Sequence, residues 1–381
     1  MGVASQGLTE AFARLYGAAA GVRVFRGPGR VNLIGEHTDY NLGFVLPMAL
    51  EMAVFIAAAP NSSGCVRVYS ENLESSAERP VAGLAGAQPA HDWTDYVFGV
   101  AQQLVRAGYA VTGANLYIRS TVPVGSGLSS SAALETSTAL ALLNGRPMDK
   151  LELVKLCRRA ENEFVGMPCG IMDQYISVFG RAGAAVKIDC RSLDHEIAPL
   201  PADVAVYAVN TMVKHELGAS EYPNRVRECR EAAEALGVAS LREATMARFE
   251  DMQDLIPPVP RKRARHVISE DGRVEDFMAA ARAGDLKRMG ELFVASHRSL
   301  AQDYEVSCEE LDFLVDTALA IEGVYGARMT GGGFGGCTVN LVRPDAAERF
   351  RAEIGARYRR RFAIDPQIYE CRPADGAGEV V

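Results

Sequence analysis

Between Gly29 and Tyr40 the chain reads Gly-Arg-Val-Asn-Leu-Ile-Gly-Glu-His-Thr-Asp-Tyr, which places a guanidinium, an imidazole and two carboxylates close together. Arg30 and His37 can donate hydrogen bonds while Glu36 and Asp39 accept them, a mixture suited to a polyhydroxylated ligand such as a sugar. Ahead of this stretch Val22–Phe25 alternates as a strand does, and Gly27-Pro28-Gly29 breaks the pattern. Beyond it Phe44–Met48 resumes an apolar run. The expectation is a polar loop, contributing little to a core, pinned between two strands that present its side chains.

A second stretch, Pro123-Val124-Gly125-Ser126-Gly127-Leu128-Ser129-Ser130-Ser131-Ala132, follows a predicted strand and opens a predicted helix. Glycines let backbone approach a ligand, and the first turn of a helix offers unpaired N–H groups at its positive end, a combination that favours phosphate. The serines add hydroxyls able to donate hydrogen bonds or ligate a metal. Read without a ligand, the same residues make a serine-capped helix after a glycine turn. No G-x-x-x-x-G-K-[ST] occurs, which excludes a P-loop. Gly331–Gly336 contains G-x-G-x-x-G, but Cys337–Leu341 behind it reads as a strand where a dinucleotide fingerprint should open a helix. That glycine cluster is expected either to pack against bound ligand or to be a plain β-turn. Asp173 sits in a mostly apolar stretch, where a carboxylate needs a partner or the end of a helix dipole.

These residues carry a resemblance. Gly29–Tyr40 is similar to the signature of galactokinases within the GHMP small-molecule kinase superfamily. Pro123–Ala132 resembles the nucleotide-phosphate motif of that superfamily and Met329–Thr338 its glycine-rich third motif, in the expected order. The resemblance implies ATP-dependent phosphorylation of D-galactose at the anomeric hydroxyl, the first committed step of galactose catabolism. It implies Asp173 as the base facing that hydroxyl with Arg30 beside it, and sugar contacts from Glu36, His37, Thr38, Asp39, Gly170 and Tyr222. Contacts to ATP would come from Gly125, Ser126, Gly127, Leu128, Ser129, Ser130 and Ser131, with Trp93 lining the adenine pocket. Ser131 and Glu161 match the Mg²⁺ ligands. Taken alone, Tyr222 is a helix-start aromatic, His37 a loop histidine and Trp93 a packing residue. Two alternatives stand beside this reading: an N-acetylgalactosamine kinase, and a non-catalytic galactose- and ATP-binding sensor. The complete Ser129–Ala132 run, with Arg30 and Asp173, favours turnover over sensing.

The elements that must position these groups read as α+β. Helices are expected over Leu8–Ala20, Trp93–Ala107, Ser129–Leu143, Lys150–Glu163, 221–236, 261–282, 285–301, 307–321 and Ala346–Arg359. Strands are expected over Val22–Phe25, Phe44–Met48, Met52–Ala58, Val66–Tyr69, Ala114–Arg119, Val204–Val209, Val324–Met329, Cys337–Leu341 and Gln367–Cys371. Glu71–Asp92 reads as a variable surface excursion, and Ala374–Val381 has no assigned role. A chain of 381 residues exceeds one ordinary core, so two domains are expected, 1–202 and 203–381, divided after Ile197–Pro201, with the active site between them.

Composition bounds the rest. The chain is 48% hydrophobic and 23% charged, with a formal charge of −8 from 40 basic and 48 acidic side chains. That balance argues against nucleic-acid and membrane-surface partners. The basic cluster Arg261–His266 lacks interleaved aromatics and reads as a solvated helix face. The longest apolar run, Met52–Ala59, is too short to span a bilayer, and no signal peptide is visible. Eight cysteines without a C-x-x-C pair suggest reduced thiols in the cytoplasm, and six histidines without H-x-x-x-H spacing give zinc no support. A monomer is the expectation.

Overall fold

The computed structural model describes residues 7–18, 21–123, 125–214 and 218–380. In chain order its strands are β1 (Arg23–Asn32), β2 (Phe44–Val45), β3 (Pro47–Pro60), β4 (Cys65–Ser70), β5 (Ser75–Pro80), β6 (Ala114–Ser120), β7 (Ala184–Asp189), β8 (His195–Pro199), β9 (Ala205–Lys214), β10 (Val324–Thr330), β11 (Gly335–Val342), β12 (Gln367–Glu370) and β13 (Gly378–Val380). The helices are α1 (Leu8–Tyr16), α2 (Thr94–Arg106), α3 (Ser130–Leu143), α4 (Lys150–Arg159), α5 (Met172–Phe179), α6 (Gly218–Leu236), α7 (Met246–Met252), α8 (Pro258–Ala283), α9 (Leu286–Ser299), α10 (Glu309–Leu319) and α11 (Ala347–Phe362). Among the described residues the strands form a six-stranded sheet in the order β13-β1-β3-β6-β4-β5, a four-stranded sheet β10-β11-β9-β12 and a three-stranded sheet β2-β7-β8. Most pairings are antiparallel and the helices are interspersed, an α+β architecture of two domains. No helix of the described residues is long and apolar enough to cross a membrane.

The strand that delivers Arg30 is longer than expected. β1 runs straight through Gly27-Pro28-Gly29, with a register shift between Pro28 and Arg30 absorbing the residue that lacks an N–H. The glycines serve close approach rather than a turn. A Cβ on Gly27 would lie 2.2 Å from the Ala133 carbonyl oxygen of α3, and one on Gly29 would lie 2.7 Å from the Leu128 carbonyl oxygen. Arg30 N–H donates to that same Leu128 carbonyl at 3.0 Å, stitching the strand to the loop before α3. Val31, Leu33 and Ile34 are wholly buried, so this stretch supplies core as well as chemistry, against the expectation. Phe44–Met48 divides likewise: Phe44 and Val45 pair with β7, then Pro47 opens β3, a first-residue position that proline tolerates.

Other elements depart from their expected bounds for local reasons. α1 stops at Tyr16 because Gly17 caps it, and Leu15 faces solvent while Leu8, Ala11 and Phe12 are buried; Ala19 and Ala20 lie outside the described residues, as does Val124. Glu71–Asp92 contains β5, an edge strand on β4, and a 3₁₀ turn, Val81–Gly86. β7, β8 and α7 had no expected counterpart. The last residues are not a loose tail, since β13 pairs with β1 through Val380, Glu379 and Gly378. The basic cluster is not a solvated face: Arg263 and His266 are buried, Arg263 meeting Glu228 at 2.7 Å and His266 meeting the Glu36 carbonyl at 3.1 Å.

One apolar cluster extends from Val31, Leu46 and Val54 through Phe98, Leu156 and Tyr175 to Val206, Phe277, Phe293 and Cys337, so the two halves share buried surface. Removing residues 376–381 should uncover β1, deleting the β13 ladder and the bonds Gly376 N–H to Gly180 O (2.9 Å) and Ala377 N–H to Ser177 O (2.6 Å). Calorimetry of that truncation should show a Tm lowered by about 5 °C, with the transition still cooperative.

Candidate active site

Arg30, from the end of β1, and Asp173, in the first turn of α5, meet as a fork. Arg30 Nε and Nη2 each donate to an Asp173 carboxylate oxygen at 2.8 Å, and Nη1 donates to the Gly127 carbonyl. The planar guanidinium suits this bidentate geometry, which an ammonium could not reproduce. Ser129 completes the arrangement. It sits at φ +57° and donates its hydroxyl to Asp173 rather than capping α3, so the serine-cap reading fails. The first turn of α3 therefore keeps N–H groups without a side-chain partner at the positive end of the helix.

Two cavities meet at this fork. The smaller, about 180 Å³, is walled by Glu36, His37, Asp39, Tyr40, Cys169, Gly170, Tyr222 and Gly331. The larger, about 400 Å³, is walled by Gly125, Gly127, Ser129, Ser130, Ser131, Glu161, Arg225, Gly333 and Phe334. Arg30, His37, Asp173, Tyr222, Gly331 and Gly332 line both. A third cavity, about 340 Å³, adjoins the phosphate-type loop and is lined by Trp93, Tyr96, Leu73, Asn72, Gly125 and Ser130. The glycine-rich segment is thus both a turn, joining β10 to β11, and a cavity wall. Gly333, at φ +85°, approaches the backbone of Val306, where a Cβ would lie 2.2 Å from the carbonyl oxygen.

Around the small cavity each polar group is fixed by a different part of the chain. Glu36 is buried, and its Oε1 accepts from Gly331 N–H at 2.8 Å and Thr330 Oγ1 at 2.9 Å, with Arg328 Nη2 at 3.5 Å. His37 Nδ1 lies 3.0 Å from the Tyr40 hydroxyl, and burial pushes its imidazole down to about 3, leaving it neutral. Asp39 accepts from Tyr40 N–H at 2.9 Å. Burial, then the Asp173 charge, pushes Asp39 up to about 6. Gly170 permits that carboxylate's placement, since a Cβ there would fall 1.6 Å from Asp39 Oδ2. Tyr222 stacks edge-on to Tyr40, with ring centroids 5.1 Å apart.

Three expected contact residues are not brought to the cavity walls. Thr38 is buried with its hydroxyl engaged by the Gly35 and Phe44 carbonyls at 2.9 and 2.6 Å, which closes the loop. Ser126 is buried, donating to Pro123 O at 2.8 Å, and its carbonyl accepts from Cys337 Sγ at 2.9 Å. Leu128 belongs to the core.

Glu161 lies in a π-helical turn, Ala160–Val165, that prolongs α4 where the sequence suggested a helix end. Its carboxylate takes hydrogen bonds from Ser131 and, at 2.6 Å, from Gln174 Nε2, which also reaches Glu135 Oε2 at 3.0 Å. Burial and the neighbouring Asp173 push Glu161 up to about 7 despite the Ser131 bond. Such crowded oxygen donors beside an anion-favouring helix end suit a hard divalent cation, and Glu135 Oε1 is buried without a partner. Among the described residues no three His, Cys, Asp or Glu side chains converge as a metal cage, so a cation here would take ligands from phosphate and water as well. Arg225 and Gln174 went unnoticed in the sequence. Arg225 was findable, one helical turn beyond Tyr222; Gln174 carried no signal beyond its place after Asp173.

Models for the N-terminal and C-terminal domains of GHMP kinases match residues 95–181 and 277–360, which gives the class. A model of the galactokinase galactose-binding signature matches residues 10–60. The chain is 44% identical to a galactokinase of Roseiflexus sp. (strain RS-1), over 98% of its length and 97% of that protein's. It is 45% identical to the galactokinase of Homo sapiens, over 97% and 94% respectively. The crystal structure of Lactococcus lactis galactokinase complexed with galactose matches with a TM-score of 0.93 at 37% identity, covering 98% of this chain and 99% of that one. The chain belongs to the galactokinase family.

Asp39 generates a pH prediction. Its carboxyl, raised from 3.8 to about 6, holds its proton longer in the folded state than in the unfolded one. Stability should therefore fall as pH rises through that window, and the charged form burdens the fold at neutral pH. Asp39→Asn should raise unfolding free energy at pH 7.5 by on the order of 2 kcal/mol and flatten its pH dependence between about 4 and 6, as denaturant titrations would show.

Proposed function

We propose that this protein transfers the γ-phosphoryl group of ATP to the anomeric hydroxyl of D-galactose, giving α-D-galactose 1-phosphate and ADP. The observation that carries the proposal is the Arg30–Asp173 fork at the junction of the two cavities. A sugar in the smaller cavity and a nucleotide phosphate in the larger would present nucleophile and phosphorus to each other across it. The hydroxyl oxygen bonds to the γ-phosphorus, the bond to the β–γ bridging oxygen breaks, and the hydroxyl proton passes to Asp173. A carboxylate is a weak base towards a sugar hydroxyl, so the proton moves late and alignment supplies much of the rate.

Each remaining group has a proposed part. Arg30 and Ser129 orient the Asp173 carboxylate, and Arg30 also faces the charge that builds on the phosphoryl oxygens. Glu36, His37, Asp39, Tyr222 and the Gly170 backbone hold the sugar hydroxyls. Thr38 serves the same site from behind by closing the loop. Gly125, Gly127, Ser129, Ser130 and Ser131 cradle the phosphates at the start of α3, with Ser126 and Leu128 shaping that loop from beneath. Trp93 borders the adenine. Ser131 and Glu161 would hold Mg²⁺, which when bound offsets the charge of the β- and γ-phosphates. We further propose that the chain divides at 202/203, with the site between the parts, and that the enzyme works in the cytoplasm, where its free cysteines would stay reduced.

The test is ADP release by the purified protein with Mg-ATP and galactose, N-acetylgalactosamine, glucose or no sugar. Galactose-dependent release is expected. Asp173→Ala should cut it at least about a thousandfold and Arg30→Lys by roughly a hundredfold, since lysine cannot form the fork. Preference for N-acetylgalactosamine would keep the chemistry and change the substrate, whereas galactose binding without turnover would make the protein a sensor.

A further inference from the structure

Helix α8 belongs to the second half of the chain, yet one of its faces grips the backbone of the sugar-signature loop. His266, Glu270, Asp271 and Val274 follow one another at i, i+4, i+5 and i+8, so they share a stripe. His266 Nε2 lies 3.1 Å from the Glu36 carbonyl, which can only accept, so this nitrogen carries the proton and Nδ1 is left to accept from Ser299 Oγ at 3.0 Å. Glu270 Oε1 accepts from Gly35 N–H at 3.0 Å and from Ser296 Oγ at 2.6 Å, while Oε2 meets Arg273 Nε at 2.6 Å. Asp271 Oδ1 accepts from Phe44 N–H at 2.7 Å. The stripe therefore holds the loop at its start, Gly35 and Glu36, and at its end, Phe44.

The loop is shaped to receive this grip. A Cβ on Gly43 would lie 2.4 Å from Asp271 Oδ1, and one on Gly35, at φ +93°, would lie 3.0 Å from Val274 Cγ2. Glycine is demanded at 43 by the approach to α8, and at 35 by the positive φ and by the Phe44 carbonyl, 2.5 Å from where a Cβ would lie. Phe44 is also held by its ring, with the Arg242 guanidinium 3.7 Å and the Lys187 ammonium 4.1 Å from its centroid. Glu36, His37 and Asp39 lie between the two gripped ends. Their spacing in the cavity is thus set by a helix that contributes no wall to it.

We propose that α8 is a positioning clamp for the sugar: Glu270 and Asp271 preorganise the loop through its backbone and so set the affinity for the monosaccharide independently of ATP. This rests on the galactose-kinase reading. Without the clamp the loop would have to be ordered by the ligand, and that cost would appear in sugar binding. The residues touch neither cavity, so the phosphate side should not register their loss.

The experiment compares Asp271→Ala, Asp271→Asn and Gly43→Ala with the parent protein, measuring KM for galactose and for ATP, kcat, galactose Kd by calorimetry and Tm. Asp271→Ala should raise the galactose KM and Kd about tenfold, with the ATP KM and kcat within about threefold of the parent. Asp271→Asn keeps an acceptor for Phe44 N–H and should restore the galactose constants to within about twofold. Gly43→Ala, whose Cβ would press on the Asp271 carboxylate and on Thr38, should reproduce the split. If Asp271→Ala fails to fold, Asp271→Ser, too short to reach Phe44 N–H, takes its place and decides the matter. Unchanged galactose constants in Asp271→Ala, or equal rises in both KM values not rescued by asparagine, would overturn the clamp. A parent protein without galactose-dependent turnover would instead condemn the functional reading, a result the parent reports before any variant is compared.

Discussion

A guanidinium almost withdrawn from water is tolerable only if its charge is met, and Arg30 meets that constraint by donating twice to Asp173 and once to the Gly127 carbonyl. Losing one member of such a buried pair typically costs about 3–5 kcal/mol, because the survivor is left uncompensated. The surrounding structure can be understood as what this pairing demands. β1 must continue through its proline to deliver Arg30, α3 must begin where Ser129 can turn its hydroxyl to Asp173, and α5 must start one residue before that aspartate. Three segments distant in sequence are thereby fixed to one carboxylate.

The same logic of compensation extends outward. Four carboxylates, Glu36, Asp39, Asp173 and Glu161, line the two cavities, and the fold does not treat them alike. Glu36 is supplied with donors from β10 and the glycine-rich turn, so its charge is anchored. Burial lifts the proton affinity of Asp39, which accepts from Tyr40 N–H, and of Glu161 despite its bonds from Ser131 and Gln174. Glu270 shows the opposite balance on α8: burial would raise it, but Arg273, His266 and Arg328 outweigh that and hold it below the usual carboxylate range. The balance is set residue by residue: Asp173 and Glu36 line the cavities with several donors each, while Asp39 and Glu161 line them with burial as the larger influence.

How much of this could be read beforehand depended on whether a residue acts through its side chain. Arg30, Glu36, His37, Asp39 and Asp173 announce themselves because their chemistry is in their type and spacing. The glycines at 27 and 29 mislead, since a glycine that admits a neighbouring backbone looks the same in sequence as one that breaks a strand. Ser129, Ser130 and Ser131 are equivalent on paper, and only the αL turn at Ser129 separates the one that leaves the helix for the carboxylate. The short β8 and β13 carry little apolar alternation, because they are edge strands recruited by pairing. Asp271 and Glu270 were hidden altogether, as they act on amides 227 and 235 residues away that carry no side-chain signature.

The contact between Gly170 and Asp39 has an evolutionary consequence. With a Cβ at Gly170 falling inside the carboxylate, no other amino acid fits while Asp39 stays where it is. A substitution at Gly170 is therefore expected to displace the Asp39 carboxylate from its place in the cavity, so the two positions constrain each other. The order of change is thereby biased: an alteration at Asp39 opens room at Gly170, whereas one at Gly170 first meets the carboxylate, so divergence of ligand preference at this spot has an easier direction.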